Sequence, residues 1–234
     1  MGSEFLNEQD FPVRIDTQDG TSTLYHSQKE VTYHSRFGAV QESLHVFINA
    51  GLLSVITHFQ SIHVLEVGFG TGLNALLSWK TLASTQGRKL NYIGYDTLPL
   101  PESLLRECAY GKALGIDDQT TTSILQSSWN KAHKLSENFI LEKKQEDFLI
   151  TALPENTYHL VYFDAFSPAT QAEMWTLEIF KKIFSAMISG GVLVTYCAKG
   201  AVKRNLENAG FTIESLPGPP GKREMTRARK NTIS

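Results

Sequence analysis

Three glycines beside an acidic residue form the part of this 234-residue sequence best suited to hold a ligand. Glu66 precedes Gly68, Gly70 and Gly72 in the order Glu-Val-Gly-Phe-Gly-Thr-Gly. Glycines let the backbone approach a bound molecule closely, and the first turn of a helix offers unpaired N–H groups. An apolar run before the glycines and a helical pattern after them predict a nucleotide-binding turn between a strand and a helix.

The spacing of the glycines indicates which nucleotide. A dinucleotide fingerprint has glycines at its first, third and sixth positions, whereas the sixth position here is Leu73. The arrangement Glu-x-Gly-x-Gly-x-Gly instead resembles the first motif of the S-adenosylmethionine-dependent methyltransferases. A tight strand-to-helix turn that binds nothing is the alternative interpretation.

Acidic or amide side chains also follow two later apolar runs. Asp96 ends one run and lies 24 residues after Gly72, a suitable distance for binding ribose hydroxyls. Gln145, Glu146 and Asp147 follow another run, where an acid or amide reads the adenine amino group in folds of this kind. We expect one of these three side chains to meet the adenine.

The elements that position these residues are predicted from hydrophobic periodicity. Five apolar runs predict strands at 62–67, 90–96, 139–141, 160–163 and 192–196. Helical patterns begin at Leu73 and after Pro101 and cover 171–188 and 201–208, while a polar, partly helical insert occupies 115–135, with Trp129 and His133 on one helix face. Segments 211–216 and 223–229 predict a last hairpin.

This alternation predicts an α/β fold, a Rossmann-like doubly wound and mostly parallel sheet with a terminal antiparallel hairpin. The Rossmann-like part is expected at 58–234, after an N-terminal extension at 1–57 that holds a hairpin and a helix. Ligands bind such sheets at the carboxyl ends of the strands, where the glycines and acids above lie. The extension could cover this pocket as a lid.

Composition excludes several classes of protein. Hydrophobic residues make up 41% and charged residues 20%, which is typical of a folded globular core. No apolar run reaches the roughly 18 residues of a membrane helix, and the first residues lack the charged-then-apolar pattern of a signal peptide, so neither is expected. Cys108 and Cys197 are isolated, which favours a reduced, cytoplasmic setting. The seven histidines lack metal-ligand spacing, so we predict no metal site.

The charge is unevenly distributed along the chain. The net charge is −2, but the residues after 198 contain eight basic and three acidic side chains, which leaves −7 on the preceding part. A basic segment on an acidic body is typical of a docking face for nucleic acid, although a solvated surface is the alternative. The candidate phosphate contacts are Lys199, Lys203, Arg204, Lys222 and Arg223.

Three blocks of sequence together resemble one family. They are residues 66–74, residues 164–168 with the Glu-Met-Trp that follows at 173–175, and residues 209–212 with Gly-Lys-Arg-Glu-Met at 221–225. In this order and spacing they resemble the methyltransferase domain of the MnmC family of bifunctional tRNA 5-methylaminomethyl-2-thiouridine biosynthesis proteins. The resemblance covers roughly residues 12–230, with a weaker match at Tyr33, Gly38 and Glu42.

The resemblance implies methyl transfer from S-adenosylmethionine to the primary amine of a 5-aminomethyl-2-thiouridine at the tRNA wobble position. The implied cofactor contacts are Glu66, Gly68, Gly70, Gly72, Asn74, Asp96, Gln145 and Glu146. The family's flavin-dependent oxidase is expected to be absent, so aminomethyl-tRNA would come from elsewhere, with a separate oxidase as a conceivable partner. The sequence departs from the family in having Asp96 in place of the usual Glu, and no Gly-Asp pair at 145–147.

Asp164 is the best candidate to bind the amine, because it follows the run expected to be the central strand. Orientation of the amine is its favoured role, since a carboxylic acid with a pKa of about 4 is a weak base. Phe166, Ser167 and Pro168 would flank the acceptor, and Phe166 could stack on a flipped-out uridine. A helix N-cap for Asp164 and a core position for Phe166 are the alternatives.

Two other functions remain open at this point. A small-molecule amine transferase, either an N-methyltransferase or an aminopropyltransferase of the spermidine-synthase type, would share the fold and the acid after the fourth strand. It would not need the basic terminal segment. A non-catalytic RNA-binding protein would not need an intact glycine motif with acids at the strand ends.

Overall fold

The computed structural model describes residues 11–85 and 87–231, and a large mixed sheet is its central feature. The strands of the described residues are β1 (Val13–Asp16), β2 (Ser22–His26), β3 (Val31–Thr32), β4 (Ser61–Val67), β5 (Lys89–Asp96), β6 (Ala132–Ser136), β7 (Phe139–Gln145), β8 (Tyr158–Phe163), β9 (Met187–Thr195), β10 (Thr212–Pro217) and β11 (Glu224–Arg229). Strands β4 to β11 form one eight-stranded sheet, and β1 to β3 form a small antiparallel sheet.

The order of the large sheet is β10-β11-β9-β8-β4-β5-β7-β6. Its five central strands run parallel, while β6, β10 and β11 pair antiparallel with their neighbours. The predicted doubly wound sheet with a terminal hairpin is thereby confirmed. Because the chain goes from β4 outward to β5 and β7, and later from β8 outward to β9, the strand order reverses between β4 and β8. The ligand crevice of such a sheet lies at the carboxyl ends of these two strands.

Helices cover both faces of the sheet. They are a continuous helix at 39–55, followed by Leu73–Ala83, Glu102–Glu107, Tyr110–Leu114, Asp118–Leu125, Leu177–Ala186 and Gly200–Asn208. The first helix is α-helical at its ends and π-helical over Leu44–Leu52. Alternate strand residues face the two helical layers: Val64 and Tyr162 belong to one buried cluster, and Leu65 and Val161 to the other. Burial on both faces explains why the central strands read as continuous apolar runs.

Two details of the prediction are wrong. The helical face expected for Trp129 and His133 does not exist, because His133 lies on edge strand β6, whose residues alternate between exposed and half-buried positions. The helix expected to reach 188 ends at Ala186, and β9 begins at Met187. Gly190, with φ of +81°, lies within β9, where the register with β8 shifts between Tyr158 and Leu160.

The N-terminal extension shares the core of the large sheet. A Cβ placed on Gly51 would lie 2.9 Å from Val194 and 3.2 Å from Tyr162, so the helix at 39–55 packs directly on β8 and β9. Leu24 of β2 is fully buried in the same cluster. Residues 1–10 of the predicted extension lie outside the described residues. None of the described helices is long and apolar enough to cross a bilayer.

Candidate active site

A cavity of about 490 Å³ opens at the carboxyl ends of the central strands, a size typical of small-molecule sites. The turn after β4, the ends of β5, β7 and β8, and the segment 29–35 of the extension all contribute to its walls. Of the residues predicted to form the site, those that line it are Gly68, Gly70, Asn74, Asp96, Glu146, Asp147, Asp164, Phe166, Ser167 and Lys222. The convergence of strand ends expected from the sequence therefore occurs.

The glycine turn brings two strand ends into contact. Gly68 has φ of +90°, and a Cβ there would lie 2.6 Å from the carbonyl oxygen of Asp164. Gly70 has φ of +50° and donates its N–H to Asp96 Oδ2 at 2.8 Å. Gly72 caps the helix Leu73–Ala83 in a left-handed conformation, although it does not line the cavity. A side chain at Gly68 would clash with the backbone of Asp164, which explains why a glycine occupies this position.

Asp96 is fixed by the backbone at the end of β5. Its Oδ2 accepts the N–H of Gly70, and its Oδ1 accepts the N–H of Leu98 at 3.0 Å. Burial raises the pKa of this carboxyl, and backbone donors, among them Leu98 and Gly70, together with Lys29 oppose the rise. Each carboxylate oxygen keeps a second acceptor site, so the pair suits two neighbouring hydroxyl groups.

The end of β7 narrows the choice of an adenine-binding residue. Glu146 and Asp147 line the cavity, but Gln145 does not, which removes the support for a cofactor contact at Gln145. The Gln145 side chain is exposed, and its backbone N–H donates to Asn130 Oδ1 at 2.9 Å. Because side chains alternate along a strand, the last residue of β7 need not face the same way as those that follow it.

Asp164 lies in the cavity wall directly after β8. Its Oδ2 accepts a hydrogen bond from Asn74 Nδ2 at 2.9 Å. Burial raises the pKa of Asp164 well above its ordinary value, with further contributions from Glu66 and Glu42. It is not a helix N-cap, because Thr176 caps the next α-helix, Leu177–Ala186. The alternative of a capping role is therefore excluded.

Glu66 lies beneath the cavity and does not line it. The side chain is fully buried, with Oε1 accepting from Asn74 Nδ2 at 2.9 Å and Oε2 accepting from the Tyr92 hydroxyl at 2.8 Å. Burial raises its pKa to about 8. Both oxygens of Glu66 thus bind protein groups, and the direct cofactor contact expected from the sequence stays a prediction. Pro168 also lies outside the cavity wall.

The loop after β8 is held in place by two hydrogen bonds. Trp175 Nε1 donates to the carbonyl of Phe166 at 2.8 Å, and the Tyr196 hydroxyl donates to the carbonyl of Ala165 at 2.8 Å. The ring of Phe166 meets the edge of Tyr33, with 5.2 Å between centroids, and Lys29 Nζ lies 5.1 Å from the Phe166 centroid. Phe166 is therefore a half-buried wall of the cavity and not a core residue.

Lys222 is held inside the site. Its ammonium pairs with the buried carboxylate of Glu42 and lies 4.0 Å from the centroid of Tyr196. Glu42 Oε2 also accepts the backbone N–H of Ser35 at 2.7 Å. The charge of Lys222 is therefore balanced within the cavity wall, and its expected contact with a phosphate stays a prediction.

The other predicted phosphate contacts divide into two groups. Lys199, Arg204 and Arg223 are exposed, and none of them has a carboxylate partner among residues 11–85 and 87–231. Lys203 pairs with Glu224 at 2.9 Å. The basic surface that remains available is therefore smaller than the sequence suggested.

Several wall residues had no predicted role. Tyr33, His34 and Glu42 come from the extension, and Tyr196 directly follows β9. Tyr33 and Glu42 stood in the weak part of the family match, but no pattern of residue types singled them out. Ligand-facing residues of such sheets lie at strand ends, so Tyr196 could have been predicted from its place at the end of the fifth apolar run. Over the described ranges, no group of three or more His, Cys, Asp or Glu is placed to hold a metal ion.

Comparisons with known proteins fit this geometry. Residues 126–231 match a family model described as S-adenosyl-L-methionine-dependent methyltransferase. The chain is similar over 97% of its length, at 24% identity and a TM-score of 0.76, to the crystal structure of MNMC2 from Aquifex aeolicus, of which it covers 72%. The fold is that of a class I S-adenosyl-L-methionine-dependent methyltransferase. The resemblance expected from the sequence is confirmed.

The curated relatives of this chain are longer than the methyltransferase fold that they share with it. The chain is 33% identical over 228 residues to the tRNA 5-methylaminomethyl-2-thiouridine biosynthesis bifunctional protein MnmC of Cupriavidus metallidurans, covering 91% of this chain and 33% of that protein. The protein of the same name from Nitrosospira multiformis is 31% identical, with 90% and 36% covered. The chain thus spans about a third of the length of these relatives.

S-adenosyl-L-methionine is the cofactor of this class of methyltransferase, and the residues present fit it. The glycine turn leaves no room for side chains where it approaches Asp164, and Asp96 offers free acceptor sites for ribose hydroxyls. Glu146 and Asp147 provide acceptors at the end of β7. The methyltransferase fold therefore carries a cofactor site built from its own strand ends.

Proposed function

We propose that this protein transfers the methyl group of S-adenosyl-L-methionine to the primary amine of a 5-aminomethyl-2-thiouridine at the wobble position of tRNA. The observation that carries the proposal is the position of Asp164: a carboxylate in the wall of the cofactor cavity, with one oxygen that has no hydrogen bond to a described residue. The similarity to the curated relatives over about nine-tenths of this chain supports a tRNA acceptor.

The chemistry requires a neutral amine beside the donor. The sulfonium supplies an activated methyl group, and the amine lone pair forms the N–C bond as the C–S bond breaks, leaving a thioether. An alkylammonium has no lone pair, so one proton must leave before attack, and the secondary ammonium product sheds a second proton afterwards. Asp164 accepts a hydrogen bond from the amine and so directs its lone pair. Burial raises the pKa of Asp164, which makes its carboxylate a stronger base than an exposed one.

The remaining wall residues suit the acceptor nucleotide. Phe166 offers an aromatic ring on which a flipped-out base can stack. Lys222, fixed by Glu42 over Tyr196, supplies a positive group close to Asp164 and lowers its proton affinity. Lys199, Arg204 and Arg223 remain as exposed contacts for tRNA phosphates. The reaction would take place in the cytoplasm, where its tRNA acceptor is found.

One assay separates this proposal from its rivals. The protein is incubated with labelled S-adenosyl-L-methionine and tRNA from cells that lack this methylation, and the tRNA is then digested to nucleosides. The expected product is labelled 5-methylaminomethyl-2-thiouridine. Label on a free amine but none on tRNA would favour a small-molecule transferase, and no transfer at all would favour a non-catalytic RNA-binding protein.

A small-molecule transferase could have the same fold. Two spermidine synthases, from Thermotoga maritima and Corynebacterium glutamicum (the latter a probable one), match with TM-scores of 0.54 and 0.56. Their identities of 11% and 12% show a shared fold alone. A parallel incubation with putrescine as the acceptor, and with both S-adenosyl-L-methionine and its decarboxylated form, tests this alternative directly.

A further inference from the structure

A single side chain, Asn74, joins two carboxyl groups of the site. Its Nδ2 lies 2.9 Å from Glu66 Oε1 and 2.9 Å from Asp164 Oδ2. An amide nitrogen carries two hydrogens, so these bonds use its whole donor capacity. The other amide atom, Oδ1, is buried and has no hydrogen-bond partner among the described residues. The two carboxyl groups, rather than any partner of Oδ1, therefore set the orientation of the amide.

Glu66 is surrounded by neutral donors and by other acids. Asn74 and the Tyr92 hydroxyl are its hydrogen-bond partners, and the charge on Asp96 disfavours its ionised form. A fully buried carboxyl in such surroundings retains its proton at neutral pH. In that form it still accepts from Asn74, and its O–H can donate to the Tyr92 oxygen.

Asp164 has different surroundings. Its carboxyl group lines the cavity, and beyond the contact with Asn74 it has no hydrogen bond to a described residue. Burial and the charge of Glu42 disfavour its charged form, as an ionised Glu66 would, while Asn74 and the ammonium of Lys222 favour it. Tyr196, the remaining titratable neighbour, keeps its proton because burial and the charge of Asp164 raise its pKa. Asp164 is thus the carboxyl that a ligand can reach.

We propose that Asn74 is a positioning residue for the methyl transfer, held by a neutral Glu66 and in turn holding Asp164 ionised with its second oxygen presented to the acceptor amine. This inference rests on the proposed function for the identity of the amine. It assigns the Glu66–Asn74 pair to the orientation and proton affinity of Asp164, a role separate from binding the cofactor.

The inference predicts a specific shift in proton affinity. Replacing Asn74 with leucine keeps the approximate volume but removes the donor that stabilises the Asp164 carboxylate. The pKa of Asp164 should rise, so the acid limb of the pH–rate profile should move by about one unit to higher pH. Single-turnover methylation at neutral pH should fall about 30-fold or more, while the Kd for S-adenosyl-L-methionine changes by less than about threefold.

The control comes from the same helix. Ser78 lies one turn beyond Asn74 and is fully buried, and its hydroxyl lies 3.1 Å from the Tyr162 hydroxyl. The variant Ser78→Ala removes a buried hydrogen bond without touching Asp164. It should lower the melting temperature but leave the pH–rate profile in its wild-type position. An Asn74→Leu profile at the wild-type position would overturn the proposal, as would a rate loss explained by lost cofactor affinity.

Two further measurements test the proposal if tRNA is not the substrate or if Asn74→Leu does not fold. A ¹³C NMR titration of the Asp164 carboxyl follows its protonation directly in the full chain, and it works even if tRNA proves not to be the substrate. If Asn74→Leu does not fold, Asn74→Ala takes its place, because it also removes the donor to Asp164 and should shift the acid limb to higher pH in the same way. An acid limb at the wild-type position in Asn74→Ala, with cofactor binding intact, would overturn the proposal.

Discussion

His34 Nε2 and the hydroxyl of Thr71 lie 2.9 Å apart, and this contact joins the N-terminal extension to the glycine turn. Both residues are buried. The backbone N–H of His34 also donates to Thr23 Oγ1 at 2.9 Å, so the histidine is fixed from both sides. The extension, expected as a lid, is in this respect a fixed wall of the cofactor cavity.

Replacing His34 with glutamine should weaken the dependence of stability on acid pH. Burial lowers the pKa of His34 from 6.5 to about 4. Between these values the unfolded chain binds more protons, so the free energy of unfolding falls as the pH falls from about 6.5 to about 4. Glutamine does not titrate, and thermal unfolding at pH values in this window should show a smaller slope. The control is His58→Gln, at an exposed histidine, and it should retain the wild-type slope. An unchanged slope in His34→Gln would contradict the assignment of this pH dependence to His34.

Replacing Gly68 with alanine should abolish cofactor binding. The Cβ would lie 2.6 Å from the Asp164 carbonyl oxygen, and the backbone has φ of +90°. Gly87→Ala is a matched control, since Gly87 has φ of +69° but nothing within 4 Å of the added carbon. Calorimetric titration with S-adenosyl-L-methionine should show wild-type affinity for Gly87→Ala. The melting temperature of this variant should fall only by the amount that corresponds to a backbone strain of about 1 kcal/mol. Equal behaviour of the two variants would show that the clash has no effect.

Replacing Phe166 with alanine should weaken use of the tRNA and spare the cofactor. Base–aromatic stacking contributes about 1–3 kcal/mol per base, which corresponds to a loss of about 5- to 150-fold in kcat/KM for tRNA. Phe59, which is also half-buried but packs on His159 at 4.6 Å between centroids, supplies the control Phe59→Ala. Steady-state kinetics with varied tRNA measure both. If Phe166→Ala keeps its kcat/KM, the ring does not stack on the acceptor.

Replacing Arg223 with glutamine should reduce the salt dependence of tRNA binding. An exposed arginine that contacts a phosphate contributes about one to the slope of log K against log salt concentration. Arg227, which pairs with Glu214, is the matched control and should leave the slope nearly unchanged when it becomes glutamine. Filter binding across a range of salt concentrations gives both slopes. Identical slopes for Arg223→Gln and wild type would remove Arg223 from the tRNA contact surface.

The parallel sheet could be predicted because its central strands are buried on both faces. Val64 and Leu65 point to opposite helical layers, and each needs an apolar side chain. Edge strand β6 lacks this signal, since its residues are half-buried at most and its composition resembles a polar loop. Its place in the sheet depends on pairing with β7, which local sequence does not reveal.

The site was predictable where strand ends supply it and unpredictable where distant segments meet. Asp96 ends β5, Asp164 directly follows β8, and both line the cavity as expected. The sequence predicted Lys222 as a surface charge, because its partner Glu42 lies 180 residues away along the chain. The bond from Asn74 to Asp164 spans 90 residues and likewise exists only once the sheet has formed. Charge pairing over such distances depends on the tertiary fold, which no spacing rule encodes.

The most direct test of the account is a comparison of Asp164→Ala with wild type in two measurements on the same preparation. Calorimetry gives the Kd for S-adenosyl-L-methionine, and single-turnover transfer of label to tRNA gives the methylation rate. We expect the Kd to stay within about threefold of wild type, while the rate falls by at least about a hundredfold, because the amine loses the group that directs its lone pair. Methylation by Asp164→Ala at close to the wild-type rate would contradict the account.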